Sequence, residues 1–416
     1  MDVVKVLSIL TAAFFLLNSC NQKKTIESVS VTAKECLGEA SENRFVVEWE
    51  NGSFSVEHGK NLEDFRTTFI KDNLHEIKHV DPDHVVRINS FVDQSAFQQS
   101  TASAPINWGP GMIQAAELWN QNILGDGVIV GIIDGMVDVN HAQLRPNILV
   151  NSREIANNNI DDDNNGVVDD FLGAQFNQEL NDPNTNRHGS HVAGIVGADF
   201  SKGPVQGVAP KVKILPAQFI GNDGAGNIGD AILAMNYAAS RGAKILNLSW
   251  GGAPCLPSLA SAMEALSARG ILLITAAGNG DSRGNGINVD EQPDYPSGFG
   301  LLNQINVAAS TVDDFMINFS NFGIRKVQVA APGVDIDSTV PGNRIERMSG
   351  TSMSAPLTAG AAALLWSAYP NATSQQIKVS LLRGVDVQAG HEFQVSTRGR
   401  INVKKSLAEL KKLLGL

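Results

Sequence analysis

The sequence has few cysteines, no excess of positive charge and no long hydrophobic run. Its 416 residues include three cysteines, too few for the disulfide framework that stabilises many small exported domains. Basic residues number 32 against 43 acidic ones, and the net charge of −11 excludes the basic footprint of a nucleic-acid-binding protein. The composition, 43% apolar and 18% charged, suits a globular chain with a large core and more than one domain.

The first twenty residues are typical of an exported protein. A mostly apolar run from Val6 to Leu17 follows Lys5. It is too short to span a bilayer comfortably and fits the core of a signal peptide. The sequence LNSC, which ends on Cys20, resembles the lipobox of bacterial lipoproteins, in which the cysteine is lipidated and becomes the new N-terminus. We therefore expect residues 1–20 to be a lipoprotein signal peptide and the protein to be in the bacterial cell envelope or secreted. The alternative is a plain signal peptide with an incidental cysteine.

The rest of the chain divides into segments of different composition. A polar tether precedes a small α+β unit, a linker rich in Gln, Ser and Ala, and a long α/β region. Two strands around a turn, a helical segment and two further strands on either side of Asp81-Pro82-Asp83 make up the small unit. The predicted boundaries are 21–43, 44–92, 93–107 and 108–416. If the tether is removed together with Cys36, Cys255 is left as a lone thiol.

Residues 108–416 have the pattern of an α/β domain. Strands such as VIVGIID, AKILNLSW and GILLITAA are almost entirely apolar, as expected where helices cover both faces of a sheet. We therefore predict an α/β fold with a mostly parallel sheet flanked by helices on both faces. Functional groups of such sheets cluster at the carboxyl ends of the strands, and Asp134 lies at one such end.

Three segments carry the side chains of a nucleophilic triad. GIIDGMVDVNH contains Asp134, RHGSHVAG contains His188 at the start of a helix, and GTSMSAP places Ser352 at the entrance of a helix. An imidazole can take the serine proton, while a buried carboxylate fixes its tautomer and stabilises its charged form. The dipole and free N–H groups of a helix N-terminus favour the negative charge that develops at such a serine.

These segments, in the chain order Asp, His, Ser, resemble those of the subtilisin-like (subtilase) serine proteases over about 300 residues. The resemblance implies a subtilisin-like fold and a serine endopeptidase that works through an acyl-enzyme intermediate without a catalytic cofactor. It also implies that Asp134, His188 and Ser352 form the triad, and that Asn279 in TAAGNGD donates its side-chain amide to the oxyanion. His191 matches a position with a helix-packing role.

Two backbone segments are candidates for substrate binding. LNLSWGG matches the strand edge that carries the acyl side of the peptide in this family, and NDGAGN matches the opposite edge. The candidate residues are Ser249, Trp250, Gly251, Gly224, Ala225 and Gly226. A peptide added between two strand edges is recognised mainly through its backbone, so we expect broad specificity for protein or peptide substrates. We expect no nucleic-acid partner, membrane contact only through the lipid anchor, and a monomer. A simple turn is the alternative for DGAG.

Some residues depart from the pattern of the family. Gly135 and Met136 follow Asp134, where a small hydroxyl residue and then glycine are usual, so the local backbone or packing must differ. Ser190 stands where threonine is usual, and Leu357 where histidine is frequent. None of these changes removes a catalytic group. Asp138, with His141, is expected to structure the turn after the triad aspartate.

The acidic segment NNNIDDDNNGVVDD is close to the first nine positions of an EF-hand-like calcium loop. The candidate ligands are the side chains of Asp161, Asp163, Asn165 and Asp169 and the carbonyl of Val167. Leu172 occupies the position of the usual glutamate, for which Asp170 could substitute. We predict a structural Ca²⁺ here, with a solvated acidic loop as the alternative.

The unit 44–92 resembles the inhibitor-type propeptides of the same family in size, placement and pattern. This resemblance predicts self-cleavage between about Phe91 and Trp108, which would separate the lipid anchor from the catalytic domain. A non-catalytic peptide-binding relative is disfavoured because all four catalytic side chains are present. A calcium-dependent surface lipoprotein is disfavoured because the acidic loop is a single short segment. A lipase is disfavoured because no G-x-S-x-G surrounds Ser352.

Overall fold

The computed structural model describes residues 24–29, 40–88, 105–177 and 187–416. These form two compact units, one of residues 24–29 and 41–82, the other of Ala40 and residues 83–416. The predicted signal peptide and most of the predicted linker lie outside the described ranges, as do Cys20 and Cys36. Within those ranges, no helix is both long and apolar enough to cross a membrane.

The smaller unit combines a β-hairpin with a helical segment. Its elements are α1 Ile26–Val29, β1 Ala40–Trp49, β2 Phe54–His58, α2 Leu62–Phe65, a π-helical turn Arg66–Ile70, α3 Lys71–Asn73 and the first part of β3 Ile77–Arg87. β1 and β2 pair antiparallel, and Phe45 stacks on Phe65 in the core with ring centroids 4.2 Å apart. The predicted break at Pro82 is wrong, because β3 runs through it. Proline interrupts a strand only where a neighbour needs its missing N–H.

The larger unit alternates strands and helices along the chain. Its strands are β4 Ile129–Asp134, β5 Ala174–Gln175, β6 Lys213–Gln218, β7 Ala225–Asn227, β8 Ile245–Leu248, β9 Leu272–Ala276, β10 Gln304–Ser310, β11 Val329–Pro332, β12 Ile336–Val340, β13 Arg344–Met348, β14 Val385–Val387 and β15 Gly399–Ile401. Its helices are α4 Trp108–Met112, α5 Ala116–Trp119, α6 His188–Gly197, α7 Ile228–Ser240, α8 Pro257–Ala268, α9 Thr351–Ala368, α10 Ser374–Arg383 and α11 Val403–Leu413, with 3₁₀ turns at Arg145–Asn147, Ser297–Phe299 and Ala389–His391.

A nine-stranded sheet forms the centre of the larger unit. Its strand order is β14-β15-β11-β10-β9-β8-β4-β6-β5. All neighbouring pairs are parallel except β14 with β15 at one edge. This confirms the predicted α/β fold with a mostly parallel sheet.

Helices cover both faces of this sheet. On one face, Val130 and Ile132 of β4 share a core with Val192 of α6 and with the small residues of α9. On the other face, a methyl group added to Gly131 of β4 would lie 2.9 Å from Ala238 Cβ of α7. Burial on both sides explains why these strands are continuous apolar runs. Their carboxyl ends lead into the segments that carry the predicted catalytic side chains.

Candidate active site

Asp134 and His188 are joined by a short hydrogen bond. Asp134 is the last residue of β4, His188 is the first residue of α6, and both are almost completely buried. His188 Nδ1 lies 2.7 Å from Asp134 Oδ1, and the Gly135 N–H donates to the same oxygen at 2.6 Å. A proton on Nδ1 facing the carboxylate leaves Nε2 as the basic nitrogen of the ring.

The segment after Asp134 is held by the first turn of α6. Ser190 Oγ accepts a hydrogen bond from the Asp138 N–H at 2.8 Å and donates to the Met136 carbonyl at 3.3 Å. The crowded position is Gly189, where an added methyl group would lie 2.3 Å from the Gly135 oxygen. The Met136 side chain is partly exposed, so its bulk lies outside the tightest contact.

Ser352 lies in the first turn of α9. It is 7% exposed, and its Oγ donates to the Ser249 carbonyl at 2.9 Å. The Ser249 hydroxyl in turn donates to the Ser352 carbonyl at 2.9 Å. Helices α6 and α9 pack against each other, so His188 and Ser352 come from the first turns of two adjacent helices.

Asn279 follows the carboxyl end of β9 and is tied to the same turn of α9. Its Oδ1 accepts hydrogen bonds of 2.9 Å from both the N–H and the hydroxyl of Thr351. A methyl group added to Gly350 would lie 3.4 Å from Asn279 Nδ2. With its oxygen fixed in this way, the amide presents its N–H groups beside the residues that precede Ser352.

The predicted edge Gly224–Gly226 is paired with an earlier part of the same unit. Residues 85–87 of β3 run antiparallel to β7, with Val86 opposite Gly226 and Arg87 opposite Ala225. The Ile88 N–H extends the ladder by donating to the Gly224 carbonyl at 2.8 Å. This edge therefore pairs with an extended segment as an added strand. The same segment also contains a turn, in which the Asp223 side chain accepts a hydrogen bond from the Ala225 N–H.

The other predicted edge follows the carboxyl end of β8. Ser249 and Trp250 are buried, and the Trp250 ring packs on Phe219 with centroids 5.1 Å apart. Gly251 is partly exposed. Asp294, which no motif had singled out, contributes a carboxylate beside this edge, and the Gly252 N–H donates to it at 2.7 Å.

His191 is buried and uncharged. Its Nε2 lies 3.0 Å from the carbonyls of both Ile336 and Glu346. Burial lowers the pKa of His191 to about 3, although these carbonyls act in the opposite direction. The ring thus donates to β12 and β13 as a neutral group, and this anchors α6 against that hairpin.

The acidic loop brings together a set of carboxylates that differs from the one predicted. One oxygen each of Glu154, Asp161 and Asp163 lie within 4.8 Å of one another. Glu154 Oε2 and Asp163 Oδ1 are buried and have no hydrogen-bond partner in the described structure. Glu154 lies seven residues before Asp161, outside the EF-hand spacing, so sequence pattern gave no signal for it.

The side chains of two other predicted ligands, Asp169 and Asn165, form hydrogen bonds within the loop. Asp169 accepts hydrogen bonds of 3.0 Å from the N–H groups of Asn158 and Asn159. Asn165 Oδ1 accepts from the Val167 N–H at 2.8 Å, and its Nδ2 donates to Asp170 at 3.1 Å. Asp169 is not part of the group of carboxylates that could hold a cation.

Comparison with known proteins agrees with this geometry. Residues 125–398 match the family model described as Subtilase family. The chain is 32% identical to the major intracellular serine protease of Bacillus subtilis over 260 residues, 62% of this chain and 74% of that protein. It is 35% identical to an intracellular serine protease of Paenibacillus polymyxa over 258 residues, 62% of this chain and 72% of the other. Its identity to subtilisin DY of Bacillus licheniformis is 31% over 300 residues, 72% of this chain and 97% of that protein. The chain therefore belongs to the subtilase family and is a subtilisin-like serine endopeptidase.

Proposed function

We propose that Asp134, His188 and Ser352 form the catalytic triad of this endopeptidase. The 2.7 Å bond between Asp134 and His188, with Ser352 in the first turn of the adjacent helix, carries the proposal. His188 Nε2 takes the Ser352 proton while Oγ attacks the peptide carbonyl, and then returns it to the leaving amine, which gives an acyl-enzyme. Water attacks the ester by the same route and releases Ser352.

Asn279 is proposed as the donor that stabilises the tetrahedral oxyanion. Its amide oxygen is held by Thr351, so its Nδ2 is already oriented and the side chain needs no change of rotamer during the reaction. The Ser352 N–H at the start of α9 is the proposed second donor. In subtilisin, losing one such donor costs about 10²–10³ in kcat, and we expect a loss of that order for Asn279→Ala.

We propose that substrates bind as strands added to Gly224–Gly226 and Ser249–Gly251. The pairing of residues 85–88 with the first of these edges supports this proposal. It also supports an inhibitory role for this segment, because a chain segment on that edge excludes a substrate strand. On this basis residues 44–92 are proposed to be an inhibitor-type propeptide, removed by cleavage in the linker.

A structural Ca²⁺ is proposed in the acidic loop, held by Glu154, Asp161 and Asp163. One buried oxygen each of Glu154 and Asp163 has no hydrogen-bond partner among the described residues, and a bound cation would satisfy both. The other oxygen of Asp163 pairs with Arg153 at 3.0 Å. Oxygen ligands of this kind suit Ca²⁺. The ion would tie together the two ends of the loop and take no part in catalysis.

The N-terminal LNSC motif is the basis for proposing a lipid anchor on Cys20 and a location in the bacterial envelope, with release as the alternative. Labelled palmitate should enter the wild-type protein and not Cys20→Ala. Label in both variants would exclude Cys20 as the acceptor.

Incubation of purified wild type and Ser352→Ala with a peptide library, followed by mass spectrometry, tests the proposed function. We expect internal cleavage of many peptides by the wild type and none by the variant. Binding of peptides without cleavage by either protein would favour the alternative, a non-catalytic peptide-binding relative.

A further inference from the structure

Asp294 lies between the two backbone segments that flank the proposed oxyanion site. A methyl group added to Gly251, on one segment, would lie 3.1 Å from Asp294 Oδ2. One added to Gly278, which directly precedes Asn279, would lie 2.4 Å from the same oxygen. Both positions are glycine, so neither segment places a side chain of its own against the carboxylate, and the Asn321 amide lies beside it at Gly278.

The carboxylate has polar partners, none of which is a cation among the described residues. The Gly252 N–H donates to Oδ1 at 2.7 Å, and Asn321 Nδ2 lies 3.4 Å from Oδ2. Burial raises the pKa of Asp294 to about 6, while the N–H groups of Gly252 and Tyr295 act in the opposite direction. Near neutral pH the group is therefore mostly ionised, and the residue stays partly exposed.

We propose that Asp294 forms the floor of the pocket for the side chain that precedes the scissile bond, and that the enzyme prefers lysine or arginine there. This rests on the proposed function, because Ser352 and Asn279 must act on the carbonyl of that same residue. With its carbonyl at Asn279 and its backbone along Ser249–Gly251, that residue directs its side chain into the space between Gly251 and Gly278.

The chemistry of this space favours a long cationic side chain. The carboxylate lies close to both glycine segments, so a long unbranched side chain can reach it past backbone alone, and the carboxylate can pair with the ammonium or guanidinium at its end. An apolar side chain would strip water from the carboxylate without supplying a counter-charge, which disfavours it. Trypsin selects basic residues with an aspartate in its specificity pocket on an unrelated fold.

The preference should depend on pH in a defined direction. Asp294 is neutral well below pH 6 and ionised above it, so discrimination in favour of a basic residue should grow as pH rises through about 6. The groups that face Asp294 are the N–H groups of Gly252 and Tyr295 and the amide of Asn321, none of which titrates in this range. Titration of the triad affects all substrates alike, so it cancels in a ratio of two substrates.

The test uses a peptide set that differs only at the residue before the scissile bond: arginine, its neutral isostere citrulline, and leucine. The measured quantity is the ratio of kcat/KM for arginine to that for citrulline, which does not depend on how much enzyme is folded. We expect a wild-type ratio of at least about tenfold, the order typical of a charge-assisted pair, and its loss in Asp294→Asn. Asp281→Asn is the control, because it removes a partly exposed charge two residues after Asn279 and should leave the ratio within about twofold.

Each outcome of this test either supports or overturns the proposed role of Asp294. Preference for leucine in the wild type, or an arginine-to-citrulline ratio unchanged in Asp294→Asn, would overturn the proposal while leaving the endopeptidase intact. If Asp294→Asn does not fold, the wild-type ratio measured between pH 5 and 8 gives the same test, and a flat profile overturns it. Failure of the wild type to cleave any of the peptide library would contradict the proposed function itself.

Discussion

The second carboxylate oxygen of Asp134 is a weak point of the proposed triad. Oδ2 is buried and has no hydrogen-bond partner in the described part of the chain. The family usually supplies a small hydroxyl residue at the next position, and here Gly135 has none. A buried acceptor left unpaired costs about 1–3 kcal/mol, so this chain carries that cost beside its catalytic carboxylate.

A hydroxyl at position 135 should remove this cost. We expect Gly135→Ser to raise the free energy of unfolding by about 1 kcal/mol relative to Gly135→Ala, because only serine can donate to Asp134 Oδ2. Both substitutions reduce the entropy of the unfolded chain to a similar degree, so the alanine variant is the matched control. Urea unfolding of both variants in a Ser352→Ala background gives the two values. Equal stability would show that the serine does not reach Oδ2.

Sequence comparison identified the triad segments but did not show which atoms are crowded beside Asp134. It pointed to Met136 as the bulky replacement, whereas the tight contact falls on the backbone of Gly135 against Gly189. Residue type alone does not say whether a side chain or its backbone faces the neighbour. Asp294 escaped notice for a similar reason, since only the folded chain brings it beside Gly251 and Gly278.

The acidic loop is the element in which sequence and structure differ most in their choice of residues. The EF-hand spacing includes Asp169, but the loop turns that carboxylate onto its own backbone and brings in Glu154 instead. Linear spacing cannot show which oxygens the turns of a loop have already used.

Calcium binding should depend on Glu154 and not on Asp169. We expect EDTA to lower the Tm of the protein in a Ser352→Ala background, since an ion at about 100 times its Kd stabilises the fold by about 2.7 kcal/mol. Glu154→Gln should abolish this dependence, and Asp169→Asn should keep it because asparagine tolerates the positive φ of 56° at that position. Metal analysis alongside thermal unfolding measures both effects. A Tm unaffected by EDTA, with no calcium in the purified protein, would exclude the site.

Among the regular elements, the apolar strands of the parallel sheet were predictable and the amphipathic hairpin was not. β12 and β13 pair antiparallel, and β13 carries Arg344, Glu346 and Arg347 within five residues. A strand with so many charged residues lacks the apolar run that identified β4 and β9. It is placed by its pairing with β12, which packs on α6.

At the scale of the whole molecule, the chain holds a segment of itself where a substrate strand is proposed to bind. Residues 85–88 lie on β7, and the predicted cleavage region follows shortly after them in sequence. Cys255 is disulfide-bonded and is therefore not a lone thiol in this structure. The other cysteines of the sequence, Cys20 and Cys36, lie outside the described residues and precede the predicted linker. We therefore expect cleavage in the linker to leave this covalent link uncut.

Self-cleavage should therefore yield two fragments that separate only after reduction. We expect the wild type to be cut between about Phe91 and Trp108, with both pieces migrating together on a non-reducing gel, and Ser352→Ala to stay full length. Cys255→Ala is the control, in which the pieces should separate without reductant. Fully active wild type that is never cut would exclude the propeptide, and fragments that separate without reductant would exclude the covalent link.

The central claim is that Ser352 is a nucleophile activated by His188. Reaction with a fluorophosphonate, followed by intact-mass and peptide mass spectrometry, tests this claim most directly. We expect one adduct on Ser352 in the wild type, none in Ser352→Ala, and labelling slowed by at least about 10³-fold in His188→Ala, since the imidazole must take the serine proton. An unlabelled wild type, or an adduct on another residue, would contradict the account.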